Sequence, residues 1–508
     1  MKVEYLVAEI GSTTTVVSAF DGLGEAGPGA GSGGGPRFLG QGLAPTTVLD
    51  GDVTIGLRRA VEDLDGRLRR EGPGESQRLE WEQMLAASSA AGGLRMTVHG
   101  LVYDMTVKAA REAALGAGAI LKMVTAGVLD DRQLAHVAEL RPNIILLAGG
   151  VDHGERATVV ANARRIADLA RGLGPPDEAR GLPVQWKAPV IFAGNADAQS
   201  EVLDILGAAG IKVFPVENVY PRIDELNVEP TRRVIQDVFE EHIVVAPGMD
   251  KIREMVTGRI IPTPGAVMTA AQTLYDRIGD LVVFDVGGAT TDVHSVTAGS
   301  EEIQRLTMSP EPLAKRTVEG DLGVYLNARN IIELSGPAVV AKVATEFLTG
   351  DDGAGSQGEK FTADEVQAMM ARKPLFPGDE RERAYVEALA AEATRIAALR
   401  HAGTLKYLYG PTGRTTVAEG KDLTRVQWVI GTGGPLTQLP SGQRILERVP
   451  GYGHRRDLLP RAEAKALADR HYILAAGGVL CAAGHSSPAT ELMMESLGIT
   501  RTAEVAKT

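Results

Sequence analysis

VVFDVGGATTDVHSV, residues 282–296, decides how the chain is read. An apolar run reaches an acid, Asp285, then two glycines, then Thr290, Thr291 and a second acid, Asp292. The alternation of buried-strand residues with bare backbone predicts a strand, a tight turn and a returning strand. Glycine lets backbone N–H groups turn toward a bound oxyanion, and hydroxyls add further donors. A carboxylate beside such a nest would repel phosphate unless Mg²⁺ and its waters stood between them.

Two further glycine turns flank this one in sequence. VAEIGSTTTVV (7–17) repeats the order of acid, glycine and hydroxyls, with Glu9 in the acid's place. Glu9 and Asp285 therefore read as acids that hold a metal through its waters, or as water-positioning groups. Gly11, Ser12, Thr13 and Thr14, with Gly287, Gly288, Ala289 and Thr290, read as two facing phosphate hairpins. VIGTGGPLTQLP (429–440) has neither acid nor lysine. Its Gly431, Gly433 and Gly434 would give a flat adenine ring close access to backbone. Asp292 reads either as a group orienting the attacking water or as a brace of the second hairpin. GxxxxGK[ST] is absent, so this is not a P-loop. Glu319 and Asp321, in VEGDLG, are candidates for ribose or metal contact, or for solvated turn residues.

Around these turns the chain alternates helix and strand. Residues 3–20 predict two strands joined by GSTT, residues 22–36 a flexible glycine-rich tip, and 56–70 an amphipathic helix. IILLAGGVD (144–152), PVIFAGNAD (189–197) and HIVVAPGMD (242–250) echo one another as apolar strand, small turn and Asp. Each is followed by a helical stretch, which predicts a parallel sheet. Asp152, Asp197 and Asp250 read as turn and N-cap residues, or as a ligand site, since loops after parallel strands gather at one sheet edge. TPGAVMTAAQTL (263–274) and YILAAGGVLCAAG (472–484) predict helices whose small residues allow close crossing.

At 508 residues more than one core is expected. The formal net charge of -12 argues against nucleic-acid and anionic-membrane partners. The single cysteine, Cys481, excludes an internal disulfide and suits a reducing, cytoplasmic setting, and it reads as packing. MKVEYLVAEIGS has acids inside its apolar run and does not read as a signal peptide. The nine histidines are scattered without metal-ligand spacing, and His99 and His294 read as structural. Trp81, Trp186 and Trp428 are too dispersed to form a stacking platform.

EIGSTTT, FDVGGATTDV and GTGGPLTQLP, in that order, resemble the two phosphate motifs and the adenosine motif of the actin-like ATPase superfamily. Glu9 stands where that superfamily usually has Asp, one methylene shorter. The resemblance implies an α/β fold of two ribonuclease H-like lobes, ATP and Mg²⁺ as cofactors, and catalytic roles for Glu9, Asp285 and Asp292. The segments 263–274 and 472–484 fall where its connecting helices belong. The long span between the phosphate motifs implies an inserted parallel α/β domain. The expected division is a first lobe at 1–98, the insertion at 99–260, and a connecting helix with the second lobe at 261–508.

A narrower resemblance extends along nearly the whole chain. AEIGSTTTVV, APTTVLDGDVTIG (44–56), SSAAGGLRMTVHGLV (88–102), AALGAGA (113–119), IILLAGGVD and TVEGDLGVYLNARNI (317–331) are similar to the MutL/GlmL family. That family accompanies glutamate mutase and related adenosylcobalamin-dependent mutases and is unrelated to the mismatch-repair protein of similar name. The resemblance implies an ATP-hydrolysing reactivating chaperone whose partners are mutase subunits. A small-molecule kinase on the same fold is the alternative, with Asp50, Asp52 or Asp321 as its base. A nucleotide-dependent filament protein is another.

Overall fold

The glycine turn at 282–296 does join two antiparallel strands, and the same unit occurs near the N-terminus. A computed structural model describes residues 1–24, 35–71, 78–89, 95–117, 119–173, 186–223, 225–243, 248–307, 311–349, 360–372, 374–410 and 413–499. The chain divides into two units. The first takes Met1–Ala87, Glu254–Arg259 and Ala266–Thr508, and the second takes Ser88–Arg253 and Ile260–Gly265. Most of the glycine-rich tip expected at 22–36 lies outside the described residues.

The first unit begins with β1 (Lys2–Ile10), β2 (Thr14–Asp21), β3 (Arg37–Pro45) and β4 (Glu80–Ser88). They lie side by side as β4-β1-β2-β3, with β1–β2 and β2–β3 antiparallel. The helix Val53–Glu71 is pressed onto β3. A Cβ on Gly42 would stand 2.1 Å from the Ala60 carbonyl oxygen, so no larger residue fits there.

The second unit carries β5 (Arg95–Gly100), β6 (Ile120–Ala126), β7 (Ile144–Leu147), β8 (Val190–Phe192) and β9 (Val213–Pro215). Their order is β6-β5-β7-β8-β9 and every neighbouring pair is parallel. β7 and β8 are buried at every residue, which is why they read as unbroken apolar runs. The helices Asp131–Leu140, Ala157–Ala170 and Gln199–Ala208 contribute to one core with them. Asp130 starts the first of these with a reciprocal capping box to Gln133. Short β10 (Ile260–Pro262) also belongs to this unit. The third strand–turn–Asp echo needs correction. His242 and Ile243 end the helix Glu229–Ile243, residues 244–247 lie outside the described residues, and Asp250 sits in the first turn of the helix Met249–Met255. Flanking residues 229–241 have a strong helical period, which carries the start of the apolar run into the helix.

Back in the first unit come β11 (Leu281–Val286), β12 (Thr291–Val296), β13 (Ala314–Glu319), the hairpin β14 (Thr404–Gly410) and β15 (Gly413–Glu419), then β16 (Trp428–Thr432) and β17 (Lys465–Ala468). The main sheet runs β13-β12-β11-β16-β17. β11–β12 and β12–β13 are antiparallel, and β11–β16 and β16–β17 are parallel. Counted from its own first strand, each sheet has the third, second, first and fourth strands in that spatial order. That repeated order is the ribonuclease H-like lobe, used twice. The fold is the two-lobed actin-like ATPase fold with an inserted parallel α/β domain.

Behind the second sheet lies the helix Glu380–His401, capped by Asp379, whose side chain accepts from the Glu382 N–H. Half of its buried residues are alanine, a strong helix former small enough for close packing. The two small-residue segments form the helices Thr263–Ile278 and Leu474–Ala482. They meet where a Cβ on Gly478 would be 1.9 Å from the Ala266 carbonyl oxygen. The helical cost of glycine there is offset by backbone contact. Among the described residues no helix is long and apolar enough to cross a membrane.

Candidate functional site

The two phosphate-type hairpins have the same backbone closure. Gly11 N–H donates to the Thr14 carbonyl at 3.0 Å, and Gly287 N–H donates to the Thr290 carbonyl at 2.9 Å. The turn residues 11–14 and 287–290 are all partly exposed, although their strands are buried. The tips face each other: a Cβ on Gly288 would stand 2.5 Å from Thr13 Oγ1.

Each turn's carbonyls are tied back by a neighbouring segment. Thr46 donates its N–H to the Thr13 carbonyl at 2.9 Å and its hydroxyl to the Gly11 carbonyl at 2.8 Å. For the second turn, Val324 N–H reaches the Gly287 carbonyl at 3.1 Å and Tyr325 N–H the Gly288 carbonyl at 3.0 Å. Asn327 Nδ2 reaches the Ala289 carbonyl at 2.7 Å. Thus the segments 44–56 and 317–331 act as braces of the two turns. Oxygens that would repel an anion are engaged with them, which favours donors on the open side.

The carboxyls at the strand ends are pushed above their ordinary range. Loss of water, followed by the charges of Asp285 and Asp469, pushes the Glu9 carboxyl up to about 8. Asp285 is pushed up to about 7, again first by burial and then by Asp292, with Asp469 adding and Arg316 opposing. Among the described residues no salt bridge joins Glu9, Asp285 or Asp469 to a cation. A divalent cation near them would relieve the mutual repulsion. No three His, Cys, Asp or Glu among the described residues are grouped to ligate a metal directly. The donor set therefore fits a cation held through water, as Mg²⁺ commonly is.

These shifts set a pH dependence. Both carboxyls bind protons in the folded chain at pH values where the unfolded chain has released them. Stability in the absence of metal should therefore fall as pH rises from about 4 to about 8, because the folded state binds the more protons there. Mg²⁺ with nucleotide competes with those protons and should restore the loss most strongly at the upper end. Melting curves across this range, with and without Mg-ATP, check the sign. A flat profile would show that the acids carry no such burden.

Asp292 is buried, and Arg316, itself 1% exposed, donates to its Oδ1 through Nη2 at 2.7 Å and Nε at 3.2 Å. Thr290 Oγ1 donates to Asp292 Oδ2 at 3.2 Å. This arrangement links Asp292 to the second turn as a brace would. Gly433, with φ +86, packs on the end of β11, where a Cβ would stand 2.2 Å from the Val286 carbonyl oxygen and 2.8 Å from Asp285 Oδ1. Gly431 is covered by Leu446 and Leu436, whereas no atom lies within 4 Å of where a Gly434 Cβ would be. Gly434→Val should thus leave the fold intact and weaken adenine-nucleotide binding about tenfold, roughly 1.4 kcal/mol. Titration calorimetry with unchanged affinity would make this turn structural only.

Two site residues carried no pattern that singled them out. Asp469 follows β17 and is fully buried, accepting from Thr432 Oγ1 at 3.0 Å and Leu474 N–H at 2.8 Å, and from Ser496 Oγ. Burial raises its carboxyl despite those bonds. Tyr472 has φ 50, and burial with the charges of Glu9, Asp285 and Asp469 pushes its phenol well up. An acid on the approach to the small-residue helix, which begins at Leu474, is the available signal for Asp469.

Other candidates lie elsewhere or are engaged. Arg400 donates to Glu319 at 2.6 Å and to Asp321 at 2.8 and 3.1 Å. Asp52 Oδ1 accepts from Thr54 N–H at 2.9 Å at the start of a helix, and Asp50 lies exposed in a short turn. Asp152 and Asp197 stand in the second unit, in the loops after β7 and β8. His99 is bonded to Thr125 and Thr97 at 2.8 and 3.0 Å, while both ring nitrogens of fully buried His294 have no hydrogen-bond partner among the described residues. Cys481 is a buried free thiol.

Over residues 5–497 the chain matches a family model described as MutL protein. It is 34% identical over 488 residues to Protein MutL of Clostridium tetanomorphum, covering 94% of this chain and 95% of that one. Among solved structures, nucleotide-free acetone carboxylase is similar with a TM-score of 0.37 and 13% identity, over 94% of this chain and 70% of that one. Ethanolamine utilization protein EutJ from Carboxydothermus hydrogenoformans gives a TM-score of 0.27 and 11% identity, over 96% and 89%. Plasmodium falciparum glycerol kinase with ADP gives 0.28 and 7%, over 99% and 91%. At those scores the chain's own sheet order, not the likeness, defines its fold.

Proposed function

This chain belongs to the MutL protein family, and on that premise we propose that it is an ATP-hydrolysing reactivating chaperone for an adenosylcobalamin-dependent mutase. The observation that carries the ATPase part is the pair of facing hairpins with Glu9 and Asp285 at their strand ends. In this reading the backbone donors of 11–14 and 287–290 bind the phosphates. Gly433 and Gly434 bring the adenosine close to backbone. Glu9 and Asp285 orient water, and Asp469 adds the third negative charge. Mg²⁺, when bound, supplies charge neutralisation on the transferring phosphoryl group. Asp292, held by Arg316, positions the second hairpin through Thr290. Catalysis then depends on placement and preorganised electrostatics.

The chaperone part draws on family membership and on the absence of a favoured kinase base. Asp321 is engaged by Arg400, and Asp52 starts a helix. Hydrolysis removes the γ-phosphate contacts between facing turns, and a docked partner responds to the change only if it binds the two nucleotide states unequally. The inserted domain is the surface proposed for that partner. The test uses glutamate mutase, or a related aminomutase, inactivated with a damaged cobalamin. This protein, ATP, Mg²⁺ and fresh adenosylcobalamin should restore activity, and omission of ATP should leave it low. Equal recovery without the protein, or ATP consumption driven by a small hydroxylated metabolite, would remove the chaperone reading.

A further inference from the structure

The segment TVEGDLGVYLNARNI (317–331) leaves β13 and wraps the second phosphate turn. Besides the bonds from Val324 and Tyr325, Leu326 N–H donates to the Gly288 carbonyl at 2.8 Å. Gly323 lies against Ala289, where a Cβ would stand 2.2 Å from the Ala289 carbonyl carbon. Asn327 Nδ2 holds the Ala289 carbonyl and, at 3.0 Å, the Gly320 carbonyl, closing the segment on itself. Thr291, the first residue after the turn, donates its hydroxyl to the Leu322 carbonyl at 2.8 Å. Residues 320–327 thus form one strap, and its shape sets where the amides of 287–290 point.

The strap is anchored by charge. Arg400 Nη1 donates to both Glu319 Oε2 and Asp321 Oδ1, and Nη2 donates to Asp321 Oδ2. Glu319 is the last residue of β13, and Asp321 is the second residue of the strap. One planar guanidinium therefore fixes the strap's first residues against the strand they leave. The end of the helix Glu380–His401 is itself held in place. The ring nitrogens of fully buried His401 lie 2.9 Å from Thr317 Oγ1 on β13 and 2.8 Å from Ser295 Oγ on β12. A cation in the last helical turn is also favoured by the helix dipole.

The exposure of this anchor argues for placement over stability. The side chains of Arg400 and Asp321 are 36% and 41% exposed, and ion pairs that open to water add little to folding. Glu319 is more enclosed and pairs across the sheet with Thr291. Burial pushes its carboxyl up, Arg400 opposes that, and the charges of Asp321 and Asp292 add to the push. A point charge would answer those charges. Only a fork holds two carboxylates in a fixed relation, which is what guanidinium offers and ammonium does not.

We propose that Arg400 is a positioning residue for ATP hydrolysis. It latches the strap 320–327 to the end of β13, and the strap holds the amides of 287–290 in the direction that receives phosphate. The latch stands on the geometry of the first unit. Its effect on hydrolysis rests on the ATPase reading.

Arg400→Lys keeps the charge and removes the fork. In the full chain it should lower kcat for Mg-ATP hydrolysis by about 10–100-fold, the loss that a small misplacement causes. KM should change far less, since the contact matters most in the transition state. The melting temperature should move by no more than about 2–4 °C. Asp321→Asn should reproduce the loss, and the double variant should be no slower than the slower single one, because both changes remove the same contact. Hydrogen exchange reads the latch without nucleotide. Peptides spanning 286–292 should exchange faster in Arg400→Lys than in the parent, and those spanning 9–15 should not. Parental kcat, or parental exchange at 286–292, would overturn the proposal. A large fall in melting temperature with both turns loosened alike would make Arg400 structural only. A parent that neither binds nor hydrolyses Mg-ATP sinks the ATPase reading, and exchange at 286–292 then decides the latch by itself.

Discussion

Asp285→Asn should reduce ATP hydrolysis by about 10²–10³-fold, the usual loss when one preorganised electrostatic contact is removed, without lowering thermal stability. Asp285 lies next to the last residue of β11, opposite Asp292 and beside Thr432, with the Gly433 backbone against its carboxylate. Asparagine keeps that shape and removes the charge that would order the waters of a bound cation. The fold should not suffer, because burial already opposes ionisation of this group and raises it to about 7. Above that pH the neutral variant should be at least as stable as the parent when no metal is present. Single-turnover hydrolysis and melting curves at pH 8 separate the two effects. Parental hydrolysis rates would remove Asp285 from the proposed metal shell, and an unfolded variant would assign it a structural role instead.

Arg316→Met should destabilise the first unit by about 3–5 kcal/mol, the cost of leaving a buried charge without its partner. Arg316 and Asp292 are 1% and 4% exposed and share two hydrogen bonds. Removing the guanidinium strands the Asp292 carboxylate between β11 and β13. It also frees the acid that receives the Thr290 hydroxyl, so the second turn should loosen as well. Pairing the change with Asp292→Leu should recover most of the stability, since the penalty belongs to the unpaired charge rather than to the pair. Urea denaturation of the parent, the two single variants and the double variant closes the cycle. A single variant that unfolds at the parental midpoint would show that water reaches Asp292 and that the pair is not a brace.

The features legible in the sequence are those that neighbouring residues decide together. GSTT and GGATT close because a glycine, a short turn and strands of apolar residues are contiguous, and the hydrogen bonds involved span three residues. IILL and VIF read as buried parallel strands because both faces are covered. Glycines and alanines at 472–484 signal a close helix crossing, and the crossing backbone is that of Ala266. Where the neighbouring helical period is stronger, as at 242–243, the apolar residues join the helix Glu229–Ile243 and form no strand.

Partners distant in sequence were decided by tertiary structure alone. Asp469 follows a four-residue strand of modest hydrophobicity, and only the parallel placement of β17 beside β16 brings it into the field of Glu9 and Asp285. The union of Asp321 with Arg400 and that of His153 with Asp197 arise in the same way. Such pairs depend on strand order and register, and those are settled by how whole faces bury their apolar surface. Backbone chemistry at a turn is local and so is written in the turn. The charge that a carboxylate carries is collective, set by water lost and by other charges gathered from across the chain.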